Sequence, residues 1–339
     1  MNYIVKDENA IYYECAYSSD NALFLKLGAE SFFITDSRYR VEAEELVQNA
    51  TVIIDGDLYG QANKLIKISK VKKINYDPKE WSIFYFEKLR NDLKVTFKEN
   101  PDFSHKKRII KSSEELLLLK KAAKLGAKAF DDFAMIIRKH GFKQDENMLT
   151  FMAKAMLSKK GKYELSFDPI TAVNENAAKP HALPTDTKLL KHDLLLVDAG
   201  LKYKRYCSDR TRTVSASKNF EFTTEQNFKK KKVQKVYDLV LKAHDNAIEK
   251  ARSGMKANKV DALTRDIITK AGYGKYYVHS TGHGVGLDIH EMPYIAGKSE
   301  TIIEDGMVYT IEPGIYIPGE FGIRIEDMVA MENGRAVLL

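Results

Sequence analysis

The first hundred or so residues show the alternating pattern of a small α/β domain. Apolar residues dominate segments 22–27 and 31–35 on either side of Gly28, which predicts two strands joined as a hairpin. The segment 37–48 carries an apolar stripe at helical spacing. Further short strands are predicted at 51–54, 73–75 and 95–97. Strands that alternate with helices favour a partly parallel sheet, so residues 1–107 are predicted to form a small α/β N-terminal domain.

The pattern changes after residue 107 to long helices followed by short strands. The polar segment 100–107 contains Pro101 and is predicted to be a linker. Ser112 or Ser113 then caps a helix that continues to about Ile137. Three more helices are predicted at about 145–159, 224–252 and 257–271, with a strand at 170–174 and a strand pair that turns at 200–205. Residues 108–339 are therefore predicted to contain both helices and strands.

Composition and charge narrow the class of protein without identifying it. The 339 residues are 44% hydrophobic and 30% charged, which is typical of a globular protein of about two domains. No apolar run is long enough to cross a membrane, and the first residues do not resemble a signal peptide, so we expect a cytoplasmic protein. The two cysteines, Cys15 and Cys207, are expected to be unpaired thiols.

The net charge of +7 arises partly from lysine runs such as 229–232. Such runs are more often solvated helix faces than nucleic-acid sites, and no aromatic residues are interleaved with this one. We therefore expect neither a nucleic-acid partner nor a membrane partner.

Five residues in the C-terminal part stand in unusual local surroundings: Asp198, Asp209, His283, Glu312 and Glu326. Asp198 and Glu312 each follow a strand-like apolar run, where a buried and unpaired charge is costly. Two divalent cations would balance four carboxylates, and a neutral imidazole would add a ligand without adding charge. If the five residues converge, they predict a two-metal site. Its oxygen-rich ligands favour Mn²⁺, although Co²⁺, Zn²⁺ and Fe²⁺ are compatible.

Other catalytic motifs are not supported. His279 and His283 are four residues apart, as in a helical zinc motif, but glycines surround His283 and no Glu follows His279. These glycines are better explained by close backbone approach beside a ligand. Neither a complete phosphate-binding glycine loop nor a G-x-S-x-G elbow occurs in the chain.

The order and spacing of the five residues resemble the pita-bread metallopeptidase family, in its aminopeptidase P and prolidase branch. That family has an Asp, a second Asp eleven residues later, a Gly-His-Gly frame, a Glu-Pro-Gly frame and an Arg-x-Glu-Asp run, all of which are present here. The resemblance is firm over 108–339 and looser over 1–107. It implies an α+β fold with a C-terminal pita-bread (creatinase/aminopeptidase) domain at 108–339, preceded by a short α/β N-terminal domain like that of creatinase.

The resemblance also implies a role for each ligand. Asp198 is expected to bind one metal with both oxygens, while Asp209 and Glu326 bridge the two metals. His283 and Glu312 are expected to hold the second metal.

Further residues of the site follow from the same resemblance. Glu312 is also expected to accept a proton from the attacking water, which the two cations share. His181 and His290 are expected to transfer protons and contact the scissile carbonyl. His279 and Arg324 are assigned to the substrate pocket. Arg324 alternates onto the same strand face as the bridging glutamate two residues later, so it is also expected to orient that ligand.

The function implied is that of a Xaa-Pro aminopeptidase, which releases the residue before a Pro at the second position of a peptide. A Xaa-Pro dipeptidase is the nearest alternative, and a pita-bread binding protein without catalysis is a further one. Methionyl aminopeptidase does not usually carry a domain like 1–107, and creatinase lacks the metal set. The family tends to dimerise, so a homodimer is expected.

Overall fold

The computed structural model describes every residue from Met1 to Leu339. The chain divides into two compact units, Met1–Arg108 and Ile109–Leu339.

The first unit is built on one six-stranded sheet of mixed direction. Its strands are β1 (Tyr3–Val5), β2 (Ala22–Leu27), β3 (Glu30–Thr35), β4 (Thr51–Ile54), β5 (Lys73–Tyr76) and β6 (Thr96–Glu99). They lie in the order β4-β3-β2-β1-β5-β6. The pairs β3/β4, β1/β5 and β5/β6 are parallel, and β1/β2 and β2/β3 are antiparallel. The sheet is therefore partly parallel, as the sequence pattern predicted.

Five helices accompany this sheet. They are α1 (Glu8–Cys15), α2 (Arg40–Leu46), α3 (Leu58–Ser69), α4 (Ile83–Arg90) and α5 (Phe103–Arg108). Helix α5 corrects the prediction of a linker at 100–107. Phe103 is buried, with its ring centroid 5.0 Å from that of Tyr3, and Lys107 donates to the Tyr3 hydroxyl at 3.2 Å, so this polar segment is packed against β1.

Glu80 should make the stability of the first unit depend on pH. Its partial burial and the nearby carboxylates of Asp7 and Asp77 raise its pKa from 4.5 to about 7, although the backbone amides of Lys6 and Asp7 donate to it. Because the pKa of Glu80 is higher in the folded state than in the unfolded state, its favourable contribution to the free energy of unfolding is complete below pH 4.5. It is lost as the pH rises through 7.

Glu80→Gln should therefore reduce the loss of stability between pH 4.5 and 7, by on the order of 1 kcal/mol after solvent screening. Trp81 is the only tryptophan in the chain and packs beside Tyr59, so its fluorescence during urea unfolding reports on this unit. The same pH profile in both proteins would contradict the prediction.

The first half of the second unit places two helices against a three-stranded antiparallel sheet. Its elements are α6 (Ser113–Ile136), α7 (Glu146–Leu157), β7 (Ile170–Val173), β8 (Leu194–Asp198), β9 (Lys202–Tyr203), β10 (Tyr206–Cys207) and β11 (Thr211–Ser215). The sheet order is β11-β8-β7, and β9 and β10 form a separate small hairpin. Ser112 and Glu115 form a reciprocal capping box that starts α6. Buried apolar residues of α6, α7 and the sheet form one core.

The second half repeats this arrangement with a larger sheet. Its elements are α8 (Lys231–Lys250), α9 (Ala257–Lys270), β12 (Gly282–Gly284), β13 (Glu291–Ile295), β14 (Val308–Ile311), β15 (Gly314–Ile317), β16 (Phe321–Arg324), β17 (Asp327–Glu332) and β18 (Arg335–Leu338). Five strands form a sheet in the order β13-β12-β14-β17-β18, and β15 pairs with β16. Helices α8 and α9 pack on each other and contribute to two apolar clusters.

Helix α8 begins at Lys231, seven residues later than predicted. The preceding segment is held as a loop by side-chain amides that bond to the backbone. Gln226 accepts from the Ser215 amide at 3.0 Å, and Gln234 accepts from the Phe228 amide at 2.7 Å. These local bonds compete with helix formation.

No helix of the structure is both long and apolar enough to span a bilayer. Cys15 and Cys207 are free, buried thiols, as predicted.

Candidate metal centre

The five predicted ligands all face one cavity of the second unit. Asp198 is the last residue of β8, and His283 is the middle residue of β12. Asp209, Glu312 and Glu326 lie just outside strands, before β11, after β14 and between β16 and β17. Asp209, His283 and Glu326 each place a ligand atom within 4.8 Å of the others. Strands from both halves of the unit, and the segments that flank them, therefore bring together residues that are distant in sequence.

The connection between the two aspartates differs from the predicted hairpin. Strands β8 and β11 do pair in antiparallel fashion, but Asp198 lies opposite Thr211. The intervening residues form the separate β9/β10 hairpin, and Asp209 lies in the link that follows it.

The glycines on either side of His283 allow three strands to approach closely. A Cβ atom on Gly282 would lie 1.9 Å from the Thr310 carbonyl oxygen, and one on Gly284 would lie 2.2 Å from that of Met292. No side chain fits at either position without moving the backbone. The glycines thus set the distance between β12 and its neighbours, and with it the position of His283, as the sequence predicted.

His283 presents an unprotonated nitrogen to the acids. Its Nδ1 lies 3.1 Å from the Gly284 carbonyl oxygen, which can only accept, so Nδ1 carries the hydrogen. Burial lowers the pKa of this imidazole to about 4. Its Nε2 lies 3.6 Å from Oδ2 of Asp209 and 3.5 Å from Oε1 of Glu312. Three lone pairs therefore face one another, an arrangement that a cation between them would stabilise.

The carboxylates carry more negative charge than the surrounding side chains neutralise. Burial, then neighbouring carboxylates, raise the pKa values of Asp209 and Glu326. Burial also raises the pKa of Glu312 to about 8, against the effect of Arg324. Asp198 Oδ1 and Asp209 Oδ1 are buried without a hydrogen-bond partner. Unpaired, buried carboxylate oxygens beside a neutral imidazole are the donor set that divalent cations prefer, so these residues fit a metal site.

Arg324 lies at the centre of a hydrogen-bonded chain on one wall. Its Nη2 donates to Oδ2 of Asp198 at 2.7 Å, and its Nη1 donates to the Tyr316 hydroxyl at 2.7 Å. Since Tyr316 accepts from Arg324, its own hydrogen is free for Nε2 of His279 at 2.9 Å. The Nδ1 of His279 lies 2.7 Å from the Ser280 carbonyl oxygen. The chain fixes the tautomer of His279, and burial lowers its pKa to about 4.

The contacts of Arg324 differ from those expected. The sequence suggested that it orients Glu326, but its direct carboxylate partner is Asp198. It reaches Glu326 only through Thr211, which accepts from Nε of Arg324 at 3.1 Å and donates to Oε2 of Glu326 at 2.5 Å. Arg324 is 3% exposed, which excludes a surface position. Neither Tyr316 nor Thr211 was predicted from the sequence, although the alternation of β15 after Glu312 was a signal for Tyr316.

The cavity has a volume of about 400 Å³ and contains every site residue that the sequence predicted. His181 and His290 are exposed at its surface, and the His290 ring lies edge-on to that of His283, with centroids 4.3 Å apart. The wall also includes apolar side chains that the sequence analysis did not identify: Phe167, Ile170, Ile289 and Tyr294. A cleft of about 490 Å³ beside His192 and Lys229 contains none of the predicted site residues.

The fold and the site define a metal-dependent hydrolase, and sequence comparison identifies its family. Residues 118–333 match metallopeptidase family M24, so the chain belongs to that family. A Xaa-Pro dipeptidase of Pyrococcus furiosus is 38% identical over 239 residues. That alignment covers 70% of this chain and 65% of the relative, so it spans slightly less than two thirds of the relative's length.

Solved structures extend the similarity to the whole chain. A Xaa-Pro dipeptidase from Bacillus anthracis is 30% identical, with a TM-score of 0.91 over 99% of this chain and 92% of that one. An X-Pro aminopeptidase from Thermotoga maritima is 27% identical, with a TM-score of 0.86 over 99% and 94%. These matches confirm the α+β pita-bread fold class and the aminopeptidase P and prolidase branch.

Divalent metal should stabilise the protein independently of any activity. A cation that binds only the folded state at 100 times its Kd contributes about 2.7 kcal/mol. For a unit of this size, that corresponds to a rise in Tm of roughly 5–10 °C. Differential scanning calorimetry of chelator-treated protein, with and without MnCl₂, measures the shift. Equal Tm values with Mn²⁺, Co²⁺, Zn²⁺ and no metal would contradict the assignment of a metal site.

Proposed function

We propose that this protein is a metal-dependent peptidase that hydrolyses the bond between an N-terminal residue and a following Pro, with Xaa-Pro dipeptides as the preferred substrates. The observation that carries the proposal is the convergence of Asp209, His283 and Glu326 in a cavity of about 400 Å³. The similarity to Xaa-Pro dipeptidases supports the choice of substrate and moves the dipeptide ahead of the longer peptides that the sequence analysis favoured.

Five residues of this chain would hold two divalent cations: Asp198, Asp209, His283, Glu312 and Glu326. When bound, such cations acidify a water molecule and polarise a peptide carbonyl. Manganese suits the oxygen-rich donor set. His283 supplies the one nitrogen ligand, and its Gly284 contact keeps Nε2 directed at the carboxylates.

Proton transfer falls to groups at the edge of this cluster. Glu312 lines the cavity with its Oε1 3.5 Å from Nε2 of His283, so one carboxylate oxygen could serve as a ligand while the other accepts a proton from water. His181 and His290 face the cavity from its exposed side, where they can donate a proton to the leaving nitrogen. His279 is held by Tyr316 as part of the wall, which suits a role in substrate contact rather than proton transfer.

The leaving nitrogen is the ring nitrogen of Pro itself, which forms a tertiary amide in the substrate and has no hydrogen to donate. The pocket must therefore recognise the ring by its shape. The apolar side chains of Phe167, Ile170, Ile289 and Tyr294 provide contact surface for a saturated ring.

A Xaa-Pro aminopeptidase that accepts longer peptides is the second candidate. The whole-chain similarity to the Thermotoga maritima enzyme favours it. The exposure of His181 and His290 also favours it, because a peptide could extend past them into solvent. The prediction of a cytoplasmic homodimer applies equally to both candidate functions.

Hydrolysis of Ala-Pro and Ala-Pro-Ala by chelator-treated protein, with and without Mn²⁺, tests the proposal. We expect metal-dependent cleavage of Ala-Pro, with slower cleavage of Ala-Pro-Ala. Faster cleavage of the tripeptide would support the aminopeptidase instead. Ala-Ala and Ala-Ala-Ala are the matched controls for Pro, and equal cleavage of these peptides would reject Pro specificity. Absence of turnover with bound metal would reject both candidates.

A further inference from the structure

A buried carboxylate outside the metal site has an unusual set of partners. Glu146, the first residue of α7, is 0% exposed and accepts four hydrogen bonds. The Val173 amide donates to Oε1 at 2.6 Å. Asn176 Nδ2, the Thr185 amide and the Thr185 hydroxyl donate to Oε2, at 2.8, 2.7 and 2.6 Å. A fully buried acid is normally paired with a base, whereas Glu146 is stabilised by neutral donors alone.

These donors lie at the two ends of one loop. Val173 ends β7 and Thr185 lies twelve residues later, so the carboxylate closes the neck of loop 174–185. Asn176 links the two sides of the loop, because its Nδ2 also donates to the Leu183 carbonyl at 2.9 Å. Its Oδ1 accepts from Lys179 Nζ at 3.0 Å. Glu146 therefore orients the side chain that cross-links the loop.

The far end of this loop forms one wall of the cavity. Pro180 and His181 line the cavity, and the Pro180 carbonyl accepts from Nη1 of Arg324 at 3.3 Å. His181 is exposed, and the structure shows no hydrogen bond to its ring. Its position is consequently set by the backbone of the loop rather than by contacts of its own.

We propose that Glu146 is a positioning residue that clamps loop 174–185 and thereby holds His181 at the mouth of the site. The inference rests on the proposed function, in which His181 transfers a proton.

Glu146 needs two accepting oxygens to hold both ends of the loop. In Glu146→Gln one oxygen becomes an NH₂ group that faces an N–H donor, so at least one of the bonds is lost and replaced by repulsion.

The test compares Glu146→Gln with Glu175→Gln, an exposed glutamate in the same loop. We expect kcat/KM for Ala-Pro to fall about 10–100-fold in Glu146→Gln and less than about 2-fold in the control, because a displaced catalytic group loses rate steeply with distance. The Mn²⁺-induced rise in Tm should persist. In a His181→Ala background, Glu146→Gln should reduce kcat/KM by less than a further factor of about 2, because the imidazole that Glu146 positions is already absent.

Hydrogen exchange measured by mass spectrometry provides a readout that does not depend on turnover. Faster exchange in Glu146→Gln should be confined to peptides within 174–185, while α8 and α9 retain their protection. Thr185→Val removes only the hydroxyl donor and should show the same pattern more weakly, which keeps the test valid if Glu146→Gln folds poorly.

Two results would overturn the inference. One is an equal loss of activity from Glu146→Gln with and without His181, and the other is exchange that is unchanged in the loop or raised throughout the unit. If the wild-type protein cleaves no Xaa-Pro peptide, the proposed function fails. In that case the hydrogen-exchange data alone still support or overturn the proposal that Glu146 holds loop 174–185.

Discussion

Asp209→Asn should reduce hydrolysis of Ala-Pro at saturating Mn²⁺ by at least about 10³-fold, or roughly 4 kcal/mol of barrier. Asn has nearly the same shape, so the change removes charge and one anionic ligand without opening a cavity. Asp209 lies within 4.8 Å of both His283 and Glu326, and its Oδ1 has no partner in the protein. Loss of this carboxylate should therefore weaken cation binding at the centre of the cluster.

The same variant should have a second, opposite effect on the metal-free protein. Burial and the Asp198 and Glu312 carboxylates raise the pKa of Asp209, so its charged form is unfavourable in the fold. A group whose folded pKa lies above its unfolded value costs stability once the pH exceeds that unfolded value. At pH 7, metal-free Asp209→Asn should unfold at the same or a higher temperature than wild type, but gain little from Mn²⁺.

Asp131→Asn, on the exposed face of α6, is the matched control and should change neither quantity. Turnover is measured by release of free Pro, and stability by calorimetry. Wild-type activity in Asp209→Asn, together with a full Mn²⁺-induced shift in Tm, would remove Asp209 from the site.

The residues proposed as metal ligands could be picked out from the sequence, and their common cavity expected, because each has a distinctive local frame. Asp198 follows four apolar residues, and His283 lies between glycines whose Cβ atoms would collide with neighbouring strands. In both cases the adjacent residues in the sequence already show that the position is buried or closely packed. The partners of the ligands carry no such signal. Thr211 and Tyr316 are ordinary strand residues. Thr211 contacts Glu326, which is more than a hundred positions away in the sequence. Tyr316 has a role only because its hydroxyl links the side chains of Arg324 and His279.

The same distinction applies to the fold. Segments with strong periodicity, such as α6 and the β2/β3 hairpin, lie where the pattern predicts them. The pattern did not identify β1, which has three residues, or α1, which begins where the Asp7 side chain accepts from the Ala10 amide. It extended α8 too far, because the apolar and charged spacing of 224–230 does not show that Gln226 and Gln234 hold that segment as a loop.

Arg324 should matter more for its geometry than for its charge. Arg324→Met removes the ion-pair partner of Asp198, whose side chain is only 13% exposed, and the loss of one partner costs about 3–5 kcal/mol in buried pairs. Metal-free protein should accordingly lose roughly 10 °C or more in Tm. Bound cations would compensate part of this cost, because Asp198 is one of the proposed ligands. The loss should therefore be smaller in Mn²⁺ than in a chelator.

Arg324→Lys separates the two contributions. A lysine ammonium can replace the charge beside Asp198, but it cannot also donate to the Tyr316 hydroxyl and the Pro180 carbonyl from the positions of a planar guanidinium. We expect most of the stability to return while kcat/KM for Ala-Pro stays about 10²-fold below wild type, since both His279 and the loop of His181 lose an anchor. The exposed Arg335, changed to Lys or Met, is the control. Full activity in Arg324→Lys would show that charge alone suffices and that the chain through Tyr316 has no part in placing the substrate.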